Sequence, residues 1–488
     1  MSGESRECVL NPKTEFRFEL DPGEDITLKV SSRVLLSGRA ELFGAELPRE
    51  RAYHFAAECK AAVFTWHGCT LEMSRASTEY VAEETPMVSY VNCHAVLEQM
   101  RVRTSIMRRS NETAPTEAEP PRVLVLGAEN SGKTSLCKIL LNYALRAGQG
   151  WSPLVVNLDT WDGAWTVPGT ISAAHLSSPV VTTIADNPYG STATSAPGSV
   201  SSSALLPLVF WFGHVESKQN LDYMRHLIHT LALKVEQHSQ DYAESASSGL
   251  FIDTPAAFAA PNQSTGQGTE KYALVTACVE AFHINTIIVM GNEKLTVEMQ
   301  KRYGDGNRHI AIVKIPRSGG VVEIDLACRR RLVSHQLRSY FYGARHSERK
   351  DGEEDDDFDP EAALAPTSSV VSFSDLRIYR IGEESVAPSS ALPIGASRAV
   401  STIQPVLVDP TSPMHQSRLL NGVLALLAPG SSSAVQDDLT QILERNVSGF
   451  LVITGIDQEH RTLTVLAPSA ASIEGRVAML GSIEWQEA

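Results

Sequence analysis

One stretch constrains this chain more than any other: Val123-Leu-Val-Leu-Gly127-Ala-Glu-Asn-Ser-Gly132-Lys133-Thr134. Four apolar residues in a row read as a strand buried on both faces. They lead into G-x-x-x-x-G-K-T, after which Leu136, Ile139, Leu140, Tyr143 and Ala144 recur at helical spacing. Strand, glycine-rich turn and helix in that order are the context a P-loop requires. Gly127 and Gly132 permit backbone angles closed to other residues. Successive N–H groups then face a polyphosphate at a helix N-terminus whose dipole favours anions. Lys133 is placed to reach the β and γ phosphates, and the Thr134 hydroxyl to ligate magnesium. The expected ligand is a purine nucleoside triphosphate, ATP with Mg2+.

A hydrated metal at such a site also needs an acid. Asp159 ends the apolar run Leu154–Leu158, and Asp253 ends Leu250–Ile252. Either fits, and either could instead cap a helix or a turn. Asp159 is preferred here, because the strand after a P-loop helix often neighbours the P-loop strand.

The rest of the chain divides by pattern. In the first hundred residues Phe16, Phe18 and Leu20 alternate with polar partners, as do Ile26, Leu28 and Val30, with the turn Asp21-Pro22-Gly23 between. Further short strands are expected around Arg39–Phe43, Ala61–Trp66 and Tyr80–Ala82, which together suggest a small sandwich or barrel. A helix near Val91–Arg103 and a polar, proline-bearing linker from Asn111 to Pro121 follow. Beyond the P-loop, apolar runs at Leu154–Leu158, Leu208–Phe212, Leu250–Ile252, Thr286–Met290 and Ile310–Ile315 alternate with helical patterns such as Asp222–Gln237 and Glu270–Phe282. That alternation predicts a parallel α/β sheet. Ser191–Ser203 reads as a surface loop. Lys350–Pro360 holds Asp-Gly-Glu-Glu-Asp-Asp-Asp, whose mutual repulsion predicts disorder. Strands are expected again at Val370–Phe373, Leu419–Leu427, Gly449–Thr454 and Thr462–Leu466. The predicted units are 1–110, 111–349, an acidic linker at 350–366, and 367–488.

Composition excludes several function classes. A formal net charge of −15 argues against a general nucleic-acid binder. Seven scattered cysteines without a Cys-x-x-Cys pair fit free thiols in a reducing compartment rather than zinc or a disulfide framework. The N-terminal residues lack an apolar signal core, and the apolar run Ala204–Phe212 contains a proline and is too short for a bilayer. A soluble, intracellular protein with no membrane association is expected. Weaker signals have bland readings beside sharper ones: His67 beside Trp66 and Cys69 could serve a metal or a triad but reads as core packing, Arg329-Arg330-Arg331 could be a phosphate patch or part of an import signal but reads as one solvated helix face, and Tyr340-Phe341-Tyr342-Gly343 reads as a helix end packed on the sheet and closed by glycine.

Several segments, in order, carry a family resemblance. They are Thr14-Glu-Phe-Arg-Phe-Glu, Ala40-Glu-Leu-Phe-Gly-Ala-Glu-Leu, Phe64-Thr-Trp-His-Gly-Cys, Leu97-Glu-Gln-Met-Arg, the P-loop, Val167-Pro-Gly-Thr, Ser318-Gly-Gly-Val-Val and Tyr340-Phe-Tyr-Gly. With them the chain resembles, from about Thr14 onward, the Clp subunit family of eukaryotic pre-mRNA cleavage and polyadenylation, within the polynucleotide 5′-hydroxyl kinase superfamily. The resemblance implies an α/β architecture in which a P-loop NTPase-type sheet is flanked by an N-terminal β-sandwich and a small C-terminal mixed α/β domain. It implies adenine contacts at Glu15 and Lys60, and phosphate contacts at Asn130, Ser131, Gly132, Lys133, Thr134 and Ser135. It further implies a nuclear protein that docks the scaffold subunit of the cleavage factor and other 3′-end processing subunits, with RNA contact weak or indirect.

The family includes active RNA kinases and members that hold ATP without turnover. Three departures favour the second kind. Active members carry Asp-Val-Gly-Gln-Gly, whereas this chain has Asp159-Thr-Trp161-Asp162-Gly163. Active members carry Thr-Cys-Gly-Trp, where this chain has Thr254-Pro-Ala-Ala257; losing that stacking platform would cost RNA binding about 1–3 kcal/mol. The lid stretch Glu293–Arg302 offers Lys294 and Lys301 where arginines are favoured, and lysine lacks the bidentate fork. No residue is assigned a catalytic role; in a kinase, Lys133 and Asp159 would carry it. A switch ATPase or GTPase is a third reading.

Overall fold

The computed structural model describes residues 6–31, 38–55, 58–74, 76–110, 119–182, 189, 207–241, 245–261, 271–304, 310–343, 365–381, 403–430, 439–469 and 473–486. The Ser-rich stretch 191–203, the acidic stretch 350–360 and most of the linker at 111–121 lie outside these residues.

The N-terminal residues form two facing antiparallel sheets, one of four strands and one of five. Strand Thr14–Glu19 shows how sequence sets orientation. Side chains alternate across a strand, so Phe16 and Phe18 enter the sandwich core with Leu28, Phe55 and Val63. Glu15, Arg17 and Glu19 then point to the other face, toward the central domain. The neighbouring strand Lys60–Thr65 pairs antiparallel with it, placing Lys60 opposite Glu19 and Phe64 opposite Glu15.

The central sheet has seven strands in the order Leu208–Trp211, Thr170–His175, Leu154–Asn157, Leu250–Asp253, Arg122–Gly127, Thr286–Met290, Ala311–Ile315. The last five are parallel, and the first two join antiparallel at one edge. The expected parallel α/β sheet is therefore a mixed one. One face is covered by helices Leu221–Asp241, Ala273–Ala281 and Leu326–Tyr342, the other by Met87–Arg109 and the P-loop helix Lys133–Arg146. Burial on both faces explains why these strands read as unbroken apolar runs.

The C-terminal residues form a seven-stranded sheet, antiparallel except where Leu376–Ile381 runs parallel to Arg476–Glu484, with short helices Pro413–Leu419 and Leu439–Leu443. Leu419, expected in a strand, ends the first of these helices; the strand begins at Gly422. The helix Leu326–Tyr342 closes at Gly343, φ 84°, as the sequence predicts. Its Tyr340 and Phe341 rings pack on Phe450 and Trp485 of the C-terminal sheet. Among the described residues no helix is long and apolar enough to cross a membrane, and all seven cysteines are free.

Domain joints are specific. Buried Asn142 on the P-loop helix donates to the Phe43 and Val180 carbonyls at 2.8 and 3.0 Å and accepts from the Val180 N–H at 2.8 Å. Glu41 accepts from Tyr143 and pairs with Arg146 at 2.7 Å. His67, expected in the core, is exposed beside the left-handed turn at Gly68.

Candidate nucleotide site

The strand Arg122–Gly127 ends under a turn that only certain residues could make. Gly132 has φ +86° and caps the P-loop helix, and Asn130 has φ +49°. A Cβ on Gly127 would meet Ser131 Oγ at 2.6 Å and Met290 Cβ at 2.9 Å, so the turn would have to open. The turn is internally braced: Ser131 Oγ and Lys133 Nζ donate to the Ala128 carbonyl at 2.8 and 3.0 Å.

Above the turn lies a cavity of about 350 Å³ with walls from two domains. The N-terminal sheet supplies Glu15, Arg17, Glu19, Lys60, Phe64 and Tyr80; the P-loop supplies Asn130, Ser131, Gly132, Lys133, Thr134 and Ser135. Gly127 lies beneath, outside the lining. Glu15 is buried and pairs with Arg17 at 2.7 Å, and Lys60 lies 3.5 Å from Glu19. The roof is the segment Ser318–Ile324. Gly320 packs so closely on Arg17 that a Cβ there would come within 2.7 Å of its Nε. The expected base and phosphate positions, Gly127 apart, thus meet around one space.

The two candidate acids also converge, but not by the expected topology. The Asp159 strand pairs with the Asp253 strand, and it is the Asp253 strand that lies directly beside the P-loop strand. The strand-neighbour argument therefore favours Asp253, contrary to the preference drawn from sequence. Asp253 Oδ2 accepts from Tyr189 at 2.9 Å, while Oδ1 is buried without a well-formed hydrogen bond, although the Thr134 hydroxyl beside it favours its ionised form. Burial nevertheless raises the Asp253 pKa above the usual range. Asp159 lines the cavity, and enclosure plus the neighbouring Asp253 charge lift it to about 6. Asp162 rises to about 7, through enclosure and then the Asp159 charge. These last two carboxyls are partly exposed and line the cavity. Burial lowers the Lys133 pKa, and the Asp253 and Asp159 carboxylates oppose that shift.

The donor set fits a nucleotide with magnesium. Asp253 Oδ1 is buried without a well-formed hydrogen bond, and the Thr134 hydroxyl bears on the same carboxyl group. Mg2+ is commonly held by one or two carboxylates plus substrate phosphates and water.

Further lining residues were not assigned to the site from sequence. Arg329, Leu332 and Gln336 line the cavity from the helix Leu326–Tyr342. Their spacing of three and four residues puts them on one helix face, which was the available signal. The run Arg329-Arg330-Arg331 is therefore not one solvated face: Arg330 and Arg331 are exposed, but Arg329 turns inward. Arg17 and Tyr80 were missed on the base side. The lid cations Lys294, Lys301 and Arg302 are not among the lining residues. Trp161 and Ala256 are, at two of the three departures noted above.

A braced P-loop on a largely parallel sheet, walled by a second domain and facing buried acids, defines a P-loop nucleotide-binding protein with a composite site. Family models match along the chain: an "N-terminal beta-sandwich domain of polyadenylation factor" at 9–104, "mRNA cleavage and polyadenylation factor CLP1 P-loop" at 127–343, and "Pre-mRNA cleavage complex II protein Clp1" at 364–487. The chain belongs to the Clp1 family. It is 49% identical to the mRNA cleavage and polyadenylation factor CLP1 of Laccaria bicolor, over 100% of this chain and 99% of that protein. It is 33% identical to the Protein CLP1 homolog of Arabidopsis thaliana, over 100% and 95%. It is 32% identical to the polyribonucleotide 5′-hydroxyl-kinase Clp1 of Bos taurus, over 98% and 96%. Two solved structures share the fold over the full length of both chains: a Clp1p–Pcf11p complex at 23% identity and TM-score 0.75, and a structure of the extended Pcf11p–Clp1p interface and of ATP loss in a point mutant at 24% and 0.76.

Proposed function

We propose that the chain is an ATP-holding subunit of the nuclear machinery for pre-mRNA 3′-end cleavage and polyadenylation, and that ATP with Mg2+ fixes its domain arrangement rather than being turned over. Glu15 and Lys60 take the base, and Asn130 through Ser135 the phosphates. Thr134 holds the metal, with Asp253 or Asp159 acting through water. The observation that carries this reading is the composite cavity, with walls from both the N-terminal sheet and the P-loop. A ligand in such a place joins two domains, and one held at about a thousand times its Kd adds about 4 kcal/mol to the folded form. The surface so fixed docks the scaffold subunit of the cleavage factor; the relatives solved with Pcf11p support that choice. RNA contact is weak or indirect.

The test is mass analysis of small molecules released on denaturing freshly purified protein, together with transfer of labelled γ-phosphate to 5′-hydroxyl RNA. Stoichiometric ATP without transfer is expected. Robust transfer, abolished by Lys133→Ala, would overturn the reading.

That outcome would instead support a polynucleotide 5′-hydroxyl kinase. One observation favours it: Lys133, Thr134 and Asp159 line the same cavity. Against it stand Trp161 and Asp162 on the wall that carries Asp159. Ala257, in place of an aromatic platform, offers RNA nothing to stack upon.

A further inference from the structure

The cavity contains a cation that neither the P-loop motif nor the lid stretch accounts for. Arg329 sits one turn into the helix Leu326–Tyr342, whose first turn is fixed by Asp325 accepting from the Cys328 N–H at 2.7 Å. The guanidinium reaches the top of the P-loop, donating to Glu129 Oε1 at 2.8 Å and Asn130 Oδ1 at 3.1 Å. It lies over the Trp161 ring, 6.0 Å from the centroid. Its Nε is buried and makes no hydrogen bond. Its charge acts on both Lys133 and Asp159, which places it at the phosphate end of the cavity.

We propose that Arg329 is a direct ligand of the terminal phosphate and makes this site discriminate nucleoside triphosphates from diphosphates. The inference rests on the ATP reading above and goes beyond it by naming the residue that senses the third phosphate. The Glu129 pairing does not satisfy this arginine, because Glu129 is 60% exposed and exposed pairs contribute little. A guanidinium binds a phosphate through two parallel N–H bonds, and charge-assisted bonds of that kind are roughly twice as strong as neutral ones. The unused Nε supplies a further donor. The indole beneath holds the plane of the fork, as a stacked guanidinium requires. A purely structural role as a helix anchor would support every nucleotide equally; a phosphate ligand would not.

The experiment measures ATP and ADP affinities, each with Mg2+, for the wild-type chain, Arg329→Ala, Arg329→Lys and the exposed neighbour variant Arg330→Ala. Binding is read by calorimetry on nucleotide-stripped protein, with folding checked by circular dichroism. Arg329→Ala is expected to weaken ATP at least about tenfold and ADP less than about threefold. Arg329→Lys should recover part of the ATP loss, and Arg330→Ala should match wild type. Equal weakening of ATP and ADP, or no weakening of either, overturns the proposal. If Arg329→Ala does not fold, the ATP-to-ADP ratio of the lysine variant decides, and an unchanged ratio counts against it. A wild-type chain that binds neither nucleotide overturns the ATP reading and this inference with it. Wild-type binding with an unmoved ratio in the variants overturns this inference alone.

Discussion

The side-chain amide of Gln336 donates to the Asp162 carboxylate at 3.1 Å, tying the helix that spans from the cavity to the C-terminal sheet to the loop that carries Asp159. The Ala164 N–H donates to the same oxygen at 2.9 Å. Two donors would hold an ordinary aspartate ionised. Here enclosure and the Asp159 charge outweigh them, and the Asp162 pKa stands at about 7. A carboxylate at this place would repel an incoming phosphate, and a pKa raised to about 7 weakens that repulsion near neutral pH.

A pH dependence follows with a definite sign. Asp162 at about 7 and Asp159 at about 6 lie above the unfolded aspartate value of about 3.9. Between these values the folded chain holds more protons than the unfolded chain. Stability contributed by the two groups is therefore present at low pH and is lost as pH rises from about 4 through about 7. Asp162→Asn keeps an acceptor for both donors and removes one titration. Relative to wild type, the nucleotide-free variant should gain on the order of 2 kcal/mol between pH 5 and pH 8. Denaturant titrations across that range check it, and a flat difference between the two proteins would refute the assignment.

At Gly481 the joint between the central and C-terminal sheets allows no side chain. A Cβ on Gly481 would lie 2.2 Å from the Gly213 carbonyl oxygen and 2.5 Å from its Cα. Backbone is all that is there to move, and the Ser482 N–H to Gly213 carbonyl bond at 2.7 Å would go with it. Gly481→Ala should cost about 3 kcal/mol. In urea unfolding the C-terminal sheet should separate before the central one, splitting a single transition into two. An unchanged midpoint would mean that the joint yields without strain.

What was legible in the sequence follows from which forces act locally. The P-loop was readable because its glycines, lysine and threonine sit within one turn. The central strands Leu154–Asn157, Leu208–Trp211, Leu250–Asp253 and Thr286–Met290 were readable because burial on both faces demands apolar runs. Strand Thr170–His175 was missed, since it reads Thr-Ile-Ser-Ala-Ala-His and joins the sheet through backbone pairing. Strand Arg476–Glu484 was missed because Gly481, required by the joint, interrupts its pattern. Strand order was hidden altogether. Nothing near Asp159 says that the Asp253 strand is inserted between its own strand and the P-loop strand, and so the argument for Asp159 rested on the wrong neighbour. The arginine run left a phosphate patch and a solvated face both open, and only the spacing of Arg329 to Leu332 and Gln336 picks out the one residue that turns inward.

The two acids can be separated by how their loss couples to magnesium. Asp253 sits on the strand beside the P-loop, next to the Thr134 hydroxyl, with one buried carboxylate oxygen lacking a well-formed bond. Asp159 faces the cavity, where the Arg329 and Lys133 charges act on it. An acid that orients the metal's water shell acts only when metal is present, whereas one that faces the nucleotide directly repels its phosphates with or without metal. Asp253→Asn should therefore cost ATP affinity about tenfold in Mg2+ and little in EDTA. Asp159→Asn should instead strengthen ATP binding in EDTA, by removing a like charge from the cavity wall. Calorimetric titration of both variants, with and without Mg2+, distinguishes them. The reverse pattern would restore Asp159 as the metal-side acid and leave Asp253 with only its Oδ2 contact to Tyr189.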